Sequence, residues 1–153
     1  MLYTGIDLIE IPRLQQAVER WGQRFLCRVF TPGELADCGC GTGPLSEHAP
    51  PPRPNYTSLA ARWAAKEAAA KALGVGLRGL SVQRNAAAAD TLRIAWTEVE
   101  VARGVLGQPL LRLHGTAARV AAAYGMRELA VSLSHTQAYA VANVIGLGDV
   151  GVG

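Results

Sequence analysis

Asp7, Glu67 and the lysines on either side of Glu67, Lys66 and Lys71, are the side chains of this 153-residue chain best suited to joint chemistry. Lys66 and Lys71 are its only lysines, against thirteen arginines. Arginine would serve solubility equally well, so a stretch that keeps lysine calls for compact ammonium groups on flexible stems. With Ser132-Leu133-Ser134-His135-Thr136 added, the inventory has one coherent use. Carboxylates hold a divalent cation, the cation and the ammonium groups bind phosphates, and the reaction takes place at phosphorus.

Each group also has a plain structural explanation. Asp7 interrupts the apolar run LYTGIDLI (2–9), expected to be a strand. Gly5, Asp7 and Ile9 share one face and Ile6 and Leu8 the other, so both faces are expected to be buried. A carboxylate there needs a partner, and taken alone an arginine or a backbone amide is a commoner one than a hard cation. In ARWAAKEAAAKALGVG (61–76), Glu67 and Lys71 are spaced for an ordinary helix ion pair. At 100° per residue, Leu59, Trp63, Ala70 and Leu73 share one side of that helix, with Lys66 inside the sector and Glu67 beside it. Along a strand, Val131 and Leu133 point one way and Ser132 and Ser134 the other, bringing hydroxyls and an imidazole to the end of a hairpin. A serine hydrolase would need a G-x-S-x-G elbow, which is absent. Cys38-Gly39-Cys40 with His48 fits no common zinc spacing. Gly74-Val75-Gly76 follows a helix rather than opening one, which makes it a C-cap and not a phosphate cradle.

The elements that must position these groups follow from local signals. Pro12 opens a helix that Gly22 interrupts and QRFLCRVF resumes, and Thr31-Pro32-Gly33-Glu34 has the form of a capping box. Residues 39–55, rich in glycine and proline, are expected to be a surface loop. Thr57 or Ser58 is expected to cap a long alanine-rich helix ending near Leu73, with Gly74 as its left-handed stop. TLRIAWTEVEVAR and LLRLHG, with a turn at Gly107-Gln108-Pro109, predict a hairpin, and GTAARVAAAYG a short helix. ELAVSLSHTQAYAVANVIGL predicts two strands joined at Ser134–Gln137. The order is α+β: an antiparallel sheet packed against a long helix and shorter helices, in one domain over 1–148 with a frayed tail at 149–153.

Composition narrows the classes. The chain is 50% hydrophobic, enough for a real core. Its net charge of +3 leaves room for an anionic partner without demanding nucleic acid. Cys27, Cys38 and Cys40 are an odd number, and the start MLYTGIDLIE lacks the segments of a secretory signal, so free cytosolic thiols are expected. No apolar run approaches the roughly twenty residues of a membrane span.

Five stretches then carry a family resemblance. Gly5-Ile6-Asp7-Leu8-Ile9-Glu10, Phe30-Thr31-Pro32-Gly33-Glu34, Arg62-Trp63-Ala64-Ala65-Lys66-Glu67-Ala68 with Lys71, Trp96-Thr97-Glu98-Val99-Glu100-Val101, and Val131-Ser132-Leu133-Ser134-His135 are the first to last of them. Their order resembles that of the holo-acyl-carrier-protein synthases, the small phosphopantetheinyl transferases, over roughly residues 3 to 146. The resemblance implies that family's fold and the transfer of 4′-phosphopantetheine from coenzyme A to a serine of apo acyl carrier protein, releasing adenosine 3′,5′-bisphosphate. It implies Mg²⁺ held by Asp7 and Glu67 at the coenzyme A diphosphate. Glu67 or a water on the metal would be the base for the serine hydroxyl, and the residues do not choose between them. Lys71 would lie near the diphosphate, and Arg62, Lys66, Ser134 and His135 would bind the co-substrate.

Arg13, Arg20, Arg24 and Arg28 would form one stripe on a continuous helix, unless Gly22 breaks the register. The matching region of the family docks the carrier protein, which is acidic; a solvated basic face is the plainer alternative. The resemblance further implies a homotrimer with active sites shared between neighbouring chains, while the missing secretory signal and apolar span lead to the expectation of a cytoplasmic protein without a membrane partner. The long loop over 39–55 and the trailing GDVGVG depart from the family's pattern.

Three other functions compete. A nucleic-acid-binding module is disfavoured by an aromatic content of 6% and by the lack of a basic stretch interleaved with aromatics. An inactive coenzyme A scaffold and a metal-dependent phosphohydrolase would share the same residues.

Overall fold

The computed structural model describes residues 1–40, 54–77 and 92–149. Most of the loop predicted over 39–55, with His48, and the tail from Val150 onward lie outside the described residues. Asp149, expected to fray, is held by its amide, which donates to Gly125 O at 3.1 Å, and by an ion pair with Arg127.

β1 (Leu2–Glu10), β6 (Met126–His135) and β7 (Tyr139–Gly148) form an antiparallel sheet in the order β1-β7-β6. Asp7 and Leu133 both lie opposite Ala142 of the central strand. Alternation gives the sheet an inner face of Gly5, Ile9, Ala140, Ala142 and Val144, all buried. The outer face differs from expectation: Ile6 is 59% and Leu8 60% exposed, in line with Ile145 and Leu147 on β7. Period-two alternation fixes which side chains share a face, and it is silent on what covers that face.

α3 (Tyr56–Ala72) lies on the inner face. Its cap is Asn55, whose side chain accepts from Ser58 N at 2.9 Å, and not Thr57 or Ser58 as expected. All three residue types suit the position, and Asn55 occupies it because the helix already begins at Tyr56, two residues before a Thr57 cap would start it. The helix is buried on most sides, and its many alanines allow close approach. At Gly5 the approach becomes backbone against backbone: a Cβ there would stand 2.0 Å from Ala68 O and 2.8 Å from Ala72 N.

α1 (Ile11–Val29) packs Leu14, Val18, Phe25 and Val29 into the core. Gly22, at φ 53 and ψ −136, divides it into two helical segments. α2 (Pro32–Asp37) starts at the predicted capping box, with Thr31 Oγ1 accepting from Glu34 N and Glu34 Oε2 accepting from Thr31 N. β2 (Gly76–Leu77) pairs in parallel with β3 (Arg93–Ile94), and a 3₁₀ turn at Trp96–Glu98 leads into the hairpin of β4 (Val99–Arg103) and β5 (Pro109–Leu113). α4 (Gly115–Ala123) returns the chain to β6. The predicted hairpin is therefore shorter than the run TLRIAWTEVEVAR, whose first part pairs elsewhere.

Candidate active site

Lys71 Nζ stands 2.8 Å from Asp7 Oδ1 and donates to Ile6 O at 2.9 Å. Asp7 is brought there by β1 and Lys71 by the last turn of α3, and the Gly5 contact with Ala68 and Ala72 sets the distance between the two backbones. Lys71 is 54% exposed and Asp7 11%. The other oxygen, Asp7 Oδ2, is buried and accepts no hydrogen bond among the described residues. A desolvated carboxylate oxygen without a donor is costly, and its position marks a place where a cation would be gained.

Glu67, one turn before Lys71, is half-buried, and its Oε1 accepts from Trp63 Nε1 at 3.0 Å. Burial raises its pKa above the usual carboxylate range, and the neighbouring charge of Asp7 raises it further. The Trp63 hydrogen bond, Lys71 and Arg13 oppose the rise. A carboxylate whose charge is disfavoured by its neighbour Asp7, beside a buried Asp7 oxygen lacking a donor among the described residues, fits a hard divalent ion as the common partner of the two. Among the described residues no group of three or more His, Cys, Asp and Glu forms a metal cage. A pair suits a cation that takes its remaining oxygens from phosphates and water.

The structure brings Asp7, Glu67 and Lys71 together and separates the other candidates from them. Lys66, expected to meet the co-substrate, is instead fully buried. Its Nζ is 2.8 Å from Glu34 Oε2 and donates to Trp96 O at 3.0 Å and to Val99 O. An ammonium has three donors, and all three are used. Arg62 is also largely buried, 3.3 Å from Asp37 Oδ2, with its Nε lacking a partner among the described residues. It borders a cleft of about 280 Å³ shared with Arg103, Ser132 and Leu133, which neither Asp7 nor Glu67 lines. His135 is on the sheet face that carries Asp7, with β7 between them, and Ser134 is on the opposite face; both are exposed. Arg13, Arg20, Arg24 and Arg28 are exposed, but the break at Gly22 means that they do not follow one continuous helical stripe. Cys38 and Cys40 are buried thiols, and burial pushes Cys38 up to about 11, which opposes a metal-ligating thiolate.

Residues 3–143 match the 4′-phosphopantetheinyl transferase superfamily. The chain belongs to that superfamily. Among curated relatives, this phosphopantetheinyl transferase is 52% identical over 145 residues to a holo-[acyl-carrier-protein] synthase of Chloroflexus aurantiacus, with 95% of this chain and 97% of the relative covered. A holo-[acyl-carrier-protein] synthase of Herpetosiphon aurantiacus is 51% identical over 148 residues, covering 97% and 100% of the two chains. Among solved structures, the ACPS–CoA complex of Chronobacterium ammoniagenes superposes with a TM-score of 0.70 at 28% identity, covering 97% of this chain and 98% of that one. The α+β fold expected from the sequence is thus the fold of the phosphopantetheinyl transferases.

Four further residues of this phosphopantetheinyl transferase support the site and were not singled out as site residues by their types. Gly5 permits the contact of β1 with α3. Trp63 was assigned to the buried side of α3, and its indole N–H also holds Glu67. Trp96 meets Trp63 edge to face at 5.9 Å between ring centroids, and Glu34 receives Lys66. The only signal in the sequence was that each stands in one of the stretches that carry the family resemblance.

Proposed function

We propose that the protein transfers 4′-phosphopantetheine from coenzyme A to the serine hydroxyl of an apo acyl carrier protein, with Mg²⁺ as cofactor. The observation that carries this is the buried Asp7 Oδ2, unpartnered among the described residues, beside Lys71 and within electrostatic reach of Glu67. Asp7 and Glu67 would hold the cation, which would supply charge neutralisation at the diphosphate and stabilise the leaving phosphate. Lys71, exposed and on a flexible stem beside Asp7, would bind the diphosphate. The serine oxygen attacks the β-phosphorus, the bond from that phosphorus to the bridging oxygen breaks, and adenosine 3′,5′-bisphosphate leaves. Glu67, the carboxylate beside the reacting diphosphate, would take the serine proton.

Arg62, Ser134 and His135 complete the co-substrate site only if a second copy contributes some of them, because in one chain they stand apart from Asp7. A homotrimer with shared sites accords with that separation and with the exposed Ile6, Leu8, Ile145 and Leu147 of the outer sheet face. The exposed arginines of α1 suit an acidic carrier, and Arg13 is close enough to act on Glu67. Added salt should weaken that docking.

The test is to incubate the protein with coenzyme A, Mg²⁺ and an apo carrier protein and to follow the phosphopantetheine mass increment by mass spectrometry. Modification of the carrier serine supports the proposal. Absence of transfer to several carriers, with coenzyme A bound, would assign the protein to coenzyme A binding alone.

A further inference from the structure

Lys66 and Glu34 are both fully buried, and together they use every strong hydrogen-bonding group that they own. Lys66 Nζ meets Glu34 Oε2 of α2, Trp96 O of the 3₁₀ turn and Val99 O of β4. Glu34 Oε2 also accepts from Thr31 N at 2.8 Å, and Glu34 Oε1 accepts from Val101 N at 2.9 Å. One helix position is thereby tied to three separate elements.

The tie matters because of what surrounds it. α3 presents mostly alanine to its neighbours, and small, similar side chains define axial position and rotation poorly. A buried polar group with a single set of partners defines both, as polar residues do in coiled-coil seams. Glu67 is the next residue, so a rotation or slide of α3 would move it with Lys66. A second link runs through Trp96, whose carbonyl accepts from Lys66 while its ring packs against Trp63, the donor to Glu67. Phe25 of α1 closes on Trp63 from another element at 5.4 Å between ring centroids.

We infer that the buried Glu34–Lys66 pair is a positioning device that fixes the rotation and axial register of α3, and so the placement of Glu67 against Asp7. It rests on the assignment of those two carboxylates as the cation site. It also accounts for lysine at this position: three donors meet three acceptors, whereas a guanidinium carries five donors in a plane.

Two variants test it. Glu34→Asp keeps the charge pair and shortens the tie by one methylene. Glu34→Gln with Lys66→Met removes both charges at nearly constant volume, an exchange that buried pairs often tolerate in stability. The readouts are thermal unfolding, Mn²⁺ affinity measured by electron paramagnetic resonance in the presence of coenzyme A, and kcat and KM for transfer. Folded variants should bind Mn²⁺ about tenfold or more weakly, with kcat falling alongside and the carrier KM unchanged. A folded variant that keeps wild-type Mn²⁺ affinity and kcat overturns the inference. Failure of both variants to fold assigns the pair to stability alone and overturns it as well. Absence of Mn²⁺ binding by the unsubstituted protein removes the cation site itself, and the positioning role with it, an outcome read before any variant is made.

Discussion

Gly5 and Ala68 meet backbone to backbone, so closely that a single added carbon on Gly5 would stand 2.0 Å from the Ala68 carbonyl oxygen. This contact, two residues from Asp7 and one from Glu67, sets how near the strand and helix can bring their carboxylates. Gly5→Ala must therefore part β1 from α3. The expected loss of stability is about 1–3 kcal/mol, as for overpacked cores, accompanied by loss of transfer activity. Thermal unfolding and the transfer assay on one preparation check both, and a variant with wild-type melting and turnover would show that the contact yields without cost.

Glu67→Gln should divide activity from stability. The carboxyl pKa is raised in the folded protein, so its contribution to stability is full when the group is protonated and is lost as pH rises through the raised value. Above that value and without metal the ionised Glu67 is therefore a cost, and the amide should stabilise the protein. Transfer should fall at least about 100-fold, the range for loss of a general base. Melting in chelator, beside turnover measured by carrier mass, tests the two signs together.

Trp63→Phe should act on the pH profile. The indole N–H stabilises the ionised form of Glu67, and its removal leaves burial and Asp7 less opposed. The acid limb of kcat/KM should move to higher pH, while the packing against Phe25 and Trp96 is largely kept. A limb that stays in place would separate Glu67 from the titration that governs activity.

Leu8→Glu places a charge on the outer sheet face without touching Asp7, which points the other way. If that face joins copies of the chain, the variant should sediment as a smaller species than the unsubstituted protein and lose transfer activity while remaining folded. Unchanged sedimentation would place the interface elsewhere.

Much of this architecture was legible in the sequence because its signals are local. The Thr31–Glu34 capping box, the break at Gly22, the alanine-rich helix and the opposed directions of Leu133 and Ser134 each follow from neighbours within a few residues. The position of Lys66 was half legible. Helical periodicity placed it in the buried sector of α3, yet nothing in a single sequence says that its partners are Glu34, Trp96 and Val99, which are distant in the chain. The same limit separated the Asp7 strand from its surroundings: alternation sorted its side chains into two faces, and only the folded chain shows Ile6 and Leu8 exposed. Asp7, Glu67 and Lys71 stood out as candidates because their types are chemically conspicuous, whereas Gly5 acts through what it lacks.

The bond from Trp63 to Glu67 also gives the molecule an optical reporter. An indole whose N–H is engaged by a carboxylate has a different excited-state environment from one beside a neutralised or cation-bound group, so ligand arrival at Glu67 should register in the ultraviolet emission of Trp63. With Trp21 and Trp96 replaced by phenylalanine, titration of the site becomes a fluorescence experiment that needs no added dye and no turnover.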